Sequence, residues 1–336
     1  MAEDDIKSVQ STALHLDDFS LKQNSSNKDV PKYYGEALLS VAREDSSILA
    51  LSADLTAPTE TDLIRDNLPE QFIMTGIAEA NMVGVGAGLA RTGFTPFVHS
   101  FGVFLSRRSY DQIAMQVAYP KTNVKIVGFM PGIDSLLGVS HQAIDDVALM
   151  RALPNMMILE PAGPADYENA VKAAIAHHGP VYLRLYRATE HYLKSPNAPP
   201  WEAGKIRPLN SGTDAVIFAT GLMVDVAFQA SRKLQKDSIN TTVIDCFCIK
   251  PIDVDGILSI VAKSKIIITA ENHSIIGGLG SAISEIIAEN NIARPFFRIG
   301  VEDCFAEGGT RKFLFQKYGL TADAIIAKVK KGLANS

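Results

Sequence analysis

Cysteine is scarce. Cys246, Cys248 and Cys304 are the three in 336 residues, and they lack the spacing of a disulfide framework or a metal knuckle. Such usage fits a reducing compartment. Basic residues hold no surplus: 32 Lys and Arg stand against 37 Asp and Glu, the net charge is −5, and no basic block occurs, which argues against nucleic acid as a partner. No apolar run approaches the roughly 18 residues that a membrane-spanning helix needs. The opening Met1-Ala-Glu-Asp-Asp is acidic and has no apolar core, unlike a secretory signal, so a cytoplasmic location is expected. Gly277-Gly278-Leu279-Gly280 lacks the G-x-G-x-x-G spacing and the later acid of a dinucleotide site, and it suits a tight strand-to-helix turn instead.

What the chain has is apolar residues in regular blocks. They make up 47% of it against 21% charged, enough for a sizeable core in two domains. Short β-branched runs at 48–52, 94–98, 124–129, 156–160 and 181–186 alternate with helical patterns near 32–43, 78–91, 105–118, 144–152 and 164–177. A second alternating set runs from 215 to 300, with two closing helices near 311–317 and 322–332. The expected fold class is α/β, two domains, each a mostly parallel sheet flanked by helices. The expected division is a mobile N-terminal arm at 1–30, a first domain at 31–190, a Pro- and Ser-rich linker at 191–212, and a second domain at 213–336.

One stretch organises the rest. Phe72-Ile73-Met74 reads as a strand that stops at Thr75-Gly76, and an Ala- and Gly-rich helix then begins near Ala78. Glu79 therefore falls in a first helical turn at the C-terminal edge of a strand, where open α/β sheets bind ligands. An acid in that turn ordinarily does no more than complement the helix dipole. Two neighbouring features favour more. Gly84, Gly86 and Gly88 weaken the helix by about 1 kcal/mol each, which suits close packing against a sheet or another subunit. The following Phe94–Phe104 segment is apolar and aromatic, so a poor solvent would surround the carboxylate and favour proton sharing with a ring nitrogen.

Ile77-Ala78-Glu79-Ala80-Asn81, Phe101-Gly-Val-Phe104 and Ser140-His141-Gln142, in this order and spacing, resemble the C-terminal half of transketolase. The closer likeness is to the small subunit of transketolases split over two chains, and it extends from about Tyr33 to Leu333. The resemblance implies a thiamine diphosphate-binding pyrimidine domain followed by a transketolase C-terminal domain that helps to build the dimer. It also implies that Glu79 binds N1′ of the aminopyrimidine and favours the tautomer that takes the thiazolium C2 proton. Phe101 and Phe104 would line the pyrimidine site. The family's third aromatic position falls on Arg107, with Tyr110 close enough to replace it. His141 would face the reacting carbon and serve proton transfer and substrate binding. Asp54, after an early strand, matches a loop near the thiazolium. Arg187, with Arg184, would grip the anionic end of the substrate, since a guanidinium forks onto an oxyanion. Both arginines read otherwise as a surface ion pair and a snorkelling side chain.

Three positions depart from the pattern. Phe129 stands where the family carries a histidine, and Leu136-Leu137 replace an acidic pair that reads the acceptor's hydroxyl. Losing such a partner alters specificity strongly, so an altered acceptor pocket is expected.

The family's Gly-Asp-Gly metal motif is missing, as is any Gly-Asp pair. The resemblance thus implies no metal ligand in this chain. Mg2+ and the diphosphate would be held by a separate N-terminal subunit, in an α2β2 assembly, acting on a small anionic sugar without nucleic acid or membrane. The alternatives are the β subunit of a 2-oxo acid dehydrogenase and a non-catalytic structural or regulatory subunit.

Overall fold

A computed structural model describes residues 31–187 and 200–335. The expected arm at 1–30 and the 191–199 part of the expected linker lie outside the described residues.

Six strands run in parallel: β1 (Ile48–Ser52), β2 (Phe72–Met74), β3 (Thr95–Phe101), β4 (Lys125–Phe129), β5 (Met157–Leu159) and β6 (Val181–Leu185). Helices between them cover both faces, so β1, β4, β5 and β6 are buried end to end. Alternation divides the apolar side chains between the faces. Phe97, Val127 and Leu183 pack on one side with the helix Tyr33–Glu44, and Val98, Ile126 and Tyr182 on the other with the helix Glu79–Arg91. A Cβ at Gly86 would lie 2.8 Å from Val98 Cγ1, so this glycine lets the helix sit close on β3. Gly88 faces open space, and its absent side chain serves no packing among the described residues.

The second sheet holds β7 (Arg207–Pro208), β8 (Ala215–Ala219) and β9 (Thr241–Asp245), then β11 (Ile266–Ser274) and β12 (Phe296–Val301). It is parallel except for β7, a two-residue edge strand that falls within the expected linker. Its faces are also both covered, by Ile217, Val243 and Ile268 on one side and Val216, Phe218 and Ile267 on the other.

Between β9 and β11 lies β10 (Cys248–Lys250), which leaves this sheet and pairs antiparallel with β5. Among the described residues the first sheet therefore has seven strands, in the order β10-β5-β6-β4-β3-β1-β2. The second half of the chain supplies one of its edges. No helix among the described residues is long and apolar enough to cross a membrane.

Candidate active site

Strand ends at the carboxyl edge of the first sheet gather the expected residues. β1 ends at Ser52, which pairs in register with Met74 of β2 and His99 of β3. Asp54 follows, exposed and with φ of 60°. Met130, just after β4, has φ of 52°. Left-handed backbone at residues other than glycine costs of order 1 kcal/mol or more and gathers at functional edges.

Glu79 opens its helix and is only 4% exposed. Ser100 Oγ donates to Glu79 Oε1 at 3.4 Å. Arg108 Nη1 donates to both carboxylate oxygens, at 3.2 and 3.3 Å. The apolar shell expected around Glu79 thus contains a cation. Arg108 arrives because the helix Gly102–Arg108 follows β3 directly. Residues 101, 104 and 108 follow the 3–4 spacing of one helical face, and that spacing is the signal that could have identified Arg108. Its Cζ lies 4.1 Å from the centroid of the Phe104 ring.

Phe101 and Phe104 stand 5.8 Å apart by ring centroid. His141 meets both edge-on, at 6.1 Å from Phe101 and 5.2 Å from Phe104. Its Nδ1 is 2.9 Å from Ser140 Oγ. Burial, and then the nearby Arg108 charge, hold the imidazole below its ordinary pKa. One buried carboxylate, two stacked-ring candidates and one imidazole therefore converge, contributed by three separate chain segments.

Two expected residues do other work. Arg107 forms a forked ion pair with Asp145, its Nε and Nη2 lying 2.9–3.2 Å from the carboxylate, and so does not replace the missing aromatic. Tyr110 does not replace it either: its hydroxyl donates to Leu149 O at 3.1 Å, and its ring packs against the core.

Arg184 is the larger correction. A strand end suggested an anion site, but Arg184 is wholly buried. It donates to Asp146 at 2.8 and 3.1 Å, to Glu160 at 2.6 Å, to the Tyr186 hydroxyl at 3.0 Å, and to the Ala143 and Asn272 carbonyls at 3.2 and 3.0 Å. Burial alone would raise the Asp146 pKa, yet the Arg184 charge keeps it lowered. With these partners Arg184 is committed to protein, and no donor is left for a substrate. Arg187 follows β6 and is half-buried.

His99, in the aromatic run, is a core residue. Nδ1–H donates to Leu51 O at 3.0 Å and Nε2 accepts from the Tyr34 hydroxyl at 2.8 Å, and burial lowers its pKa to about 4. Phe129 is likewise core, edge-on to Tyr34 at 5.4 Å. Leu136 and Leu137 are exposed.

The loop 130–142, which carries His141, is braced by the second half of the chain. Asn272 Oδ1 accepts from Ile133 N at 3.0 Å, and Nδ2 donates to Pro131 O at 3.3 Å. A Cβ on Gly132 (φ +68°) would stand 2.3 Å from Asn272, so only glycine fits there. Arg311 forks onto Asp134, and Gln142 Nε2 donates to Glu307 O at 3.0 Å. The glycine turn at 277–280 behaves as expected: Glu271 accepts from Leu279 N and Gly280 N at 2.7 and 2.8 Å and starts the helix Leu279–Glu289.

Surface concavities of ≈ 700 Å³, lined by residues such as Lys263, Lys265 and Arg294, and of ≈ 260 Å³, lined by residues such as Arg151 and Glu285, include none of these residues. Among the described residues no group of three or more His, Cys, Asp or Glu converges as a metal site.

Comparison with known proteins identifies the family. Residues 26–189 match the family "Transketolase, pyrimidine binding domain" and residues 204–325 match "Transketolase, C-terminal domain". The chain is 42% identical to the 6-deoxy-6-sulfo-D-fructose transketolase subunit SqwH of Clostridium sp. (strain MSTE9), over 87% of this chain and 91% of that one. It is 35% identical to one of the subunits of the apulose-4-phosphate transketolase of Phocaeicola vulgatus, over 88% and 94%. A solved structure described as "Split gene transketolase, inactive beta4 tetramer" is similar with a TM-score of 0.83 and 39% identity, over 90% and 97%.

Proposed function

Because the chain belongs to the transketolase family and corresponds to the C-terminal subunit of its split form, we propose that it forms the pyrimidine half of a thiamine-diphosphate site. With a separate N-terminal subunit holding Mg2+ and the diphosphate, in an α2β2 assembly of the cytoplasm, it would transfer a two-carbon ketol unit from an anionic ketose to an aldehyde. The observation that carries this reading is the buried Glu79 carboxylate, bridged by Arg108 to Phe104, whose ring Phe101 and His141 adjoin. That donor set suits a flat aminopyrimidine, which needs an acceptor for a ring proton and an aromatic face to stack on. The cofactor supplies, when bound, the electron sink that lets a C–C bond beside a carbonyl break and re-form.

The chain's own residues have the remaining tasks. Glu79 holds the proton of the ring nitrogen. Phe101 and Phe104 orient the ring, by stacking worth about 0.5–1.5 kcal/mol beyond burial. His141, whose pKa is lowered first by burial, is suited to take and return a proton at a substrate oxygen. Asp54, on the same sheet edge, would lie near the thiazolium. Arg187 is assigned the far oxyanion. The relatives' names include one sulfonated and one phosphorylated sugar, and both ends are tetrahedral oxyanions that an arginine can grip. With Phe129 in the core and Leu136-Leu137 in place of acids, the acceptor pocket is less polar than the family's.

The test is reconstitution. The chain, an N-terminal transketolase subunit, thiamine diphosphate and Mg2+ should together convert some member of a panel of ketose phosphates and sulfonates. Glu79→Gln should lower kcat about 10²–10⁴-fold, the usual range for a lost proton-transfer group. Turnover by the isolated chain, or full activity of E79Q, would refute the reading.

A further inference from the structure

We propose that Arg108 is a latch on the cofactor site: in the unloaded chain its guanidinium takes the place of the aminopyrimidine, stacked on Phe104 and hydrogen-bonded to Glu79, so that loading is a displacement. The proposal rests on the assignment of Glu79 and Phe104 to the pyrimidine site.

The geometry is that of mimicry. Both groups are flat, both offer in-plane N–H donors, and both stack on an aromatic face. Arg108 Nη1 reaches both Glu79 oxygens, and Cζ stands 4.1 Å from the centroid of the Phe104 ring. The two protein donors to Glu79 differ in where they stand. Ser100 is buried beneath the carboxylate, whereas the Arg108 side chain is 51% exposed. The guanidinium therefore lies between a buried acid and solvent, and a ring nitrogen approaching Glu79 from solvent meets it first. Arg108 also sits at the last residue of a short helix, followed by Ser109, which leaves the helical region with φ −113° and ψ 14°. Its long side chain can swing outward without moving Phe104. Arg107, its neighbour, is tied to Asp145 and cannot take over the role.

A bound ring would push Arg108 away from His141 as well as from Glu79, since the imidazole rests on Phe104. That gives a readout independent of turnover. The probe is 4-amino-5-hydroxymethyl-2-methylpyrimidine, the ring without its diphosphate, added to the full chain and followed by nuclear magnetic resonance of the histidine side chains. Arg108→Gln should bind the probe about two- to fivefold more tightly than wild type, the equivalent of removing one half-exposed ion pair that competes for the acid. The pH midpoint of His141 should rise on the R108Q substitution alone. It should also rise in wild type on adding probe, but change little when probe is added to R108Q.

Equal or weaker probe binding by R108Q, or no detectable binding by either protein at millimolar probe, would overturn the latch. Glu79→Gln separates the two readings. If E79Q binds the probe as well as wild type, the assignment of Glu79 to the ring has failed. If E79Q loses the probe while R108Q gains nothing, the latch alone has failed. Near-ultraviolet circular dichroism of each variant checks that it is folded.

Discussion

Replacing Arg184 by Met should be among the most damaging single changes in this chain, and the pH at which it is measured should decide how damaging. In the native protein Arg184, Asp146 and Glu160 are all fully buried, and the guanidinium bonds both acids. Methionine fills much of the same volume but leaves two carboxylates in the interior. Breaking a buried ion pair in this way costs about 3–5 kcal/mol, a large part of the 5–15 kcal/mol by which domains are stable. The two acids also accept from Tyr182, Tyr186 and Thr220 hydroxyls, at 2.6–3.1 Å, which keeps the loss from doubling. The pH dependence has a fixed sign. In wild type the folded Asp146 pKa is lowered, so its contribution is present above the unfolded value near 4 and fades as pH falls through the folded one. In Arg184→Met burial acts without the counter-charge and raises the folded pKa, so the variant gains relative stability as pH falls. The deficit should therefore be widest at pH 7–8 and narrow toward pH 4–5. Urea denaturation followed by the single tryptophan, Trp201, which stacks on Phe247 at 3.8 Å, gives the two curves. A deficit under about 1 kcal/mol at pH 7, or one that does not change with pH, would show that the two buried acids do not depend on Arg184.

The brace on the His141 loop makes a second prediction. Asn272→Ala strands Ile133 N–H and Pro131 C=O in a buried place; at about 1–3 kcal/mol for unpaired buried groups, it should speed amide exchange across 131–141 while leaving the β8–β9 core protected. Unchanged exchange in that loop would mean that Asp134–Arg311 holds it unaided. Asp245 offers a test of opposite sign. Burial raises its pKa to about 7 against the pull of Arg207, so its share of stability is complete below the unfolded value near 4 and is lost as pH rises through about 7. Asp245→Asn should gain on wild type between pH 4 and pH 7.5 in denaturation midpoint, and a difference that is flat or that falls would reject the shift.

The parallel architecture is legible because its strands are buried on both faces and read as plain apolar runs. Strand β1 and the helix Arg311–Lys317 fall at their expected limits, and most other limits lie within a few residues of expectation. The elements that escape a reading of the sequence are short and have distant partners. Strand β10 is three residues long and pairs with β5, about 90 positions earlier, so nothing local marks it. Strand β7 contains a proline and lies on an edge, where a missing N–H is tolerated, and its surroundings read as linker.

Arg184 shows most clearly what one sequence withholds. Spacing places it correctly at the end of β6, and the inference from a strand end to an open anion site is sound for an isolated sheet. The second half of the chain changes that environment: Asn272 accepts from Arg184 through its carbonyl and binds the 131–133 backbone through its amide. One residue of β11 thus joins the buried charge network to the loop that presents His141. The C-terminal sheet, expected to serve assembly, is therefore part of the machinery that sets the imidazole beside Phe101 and Phe104. A substitution at Asn272 should consequently disturb the site without touching Glu79, Phe101, Phe104 or His141. Sequence spacing could have revealed Arg108, by its helical phase with Phe101 and Phe104, but not this coupling, which exists only once the two sheets are packed.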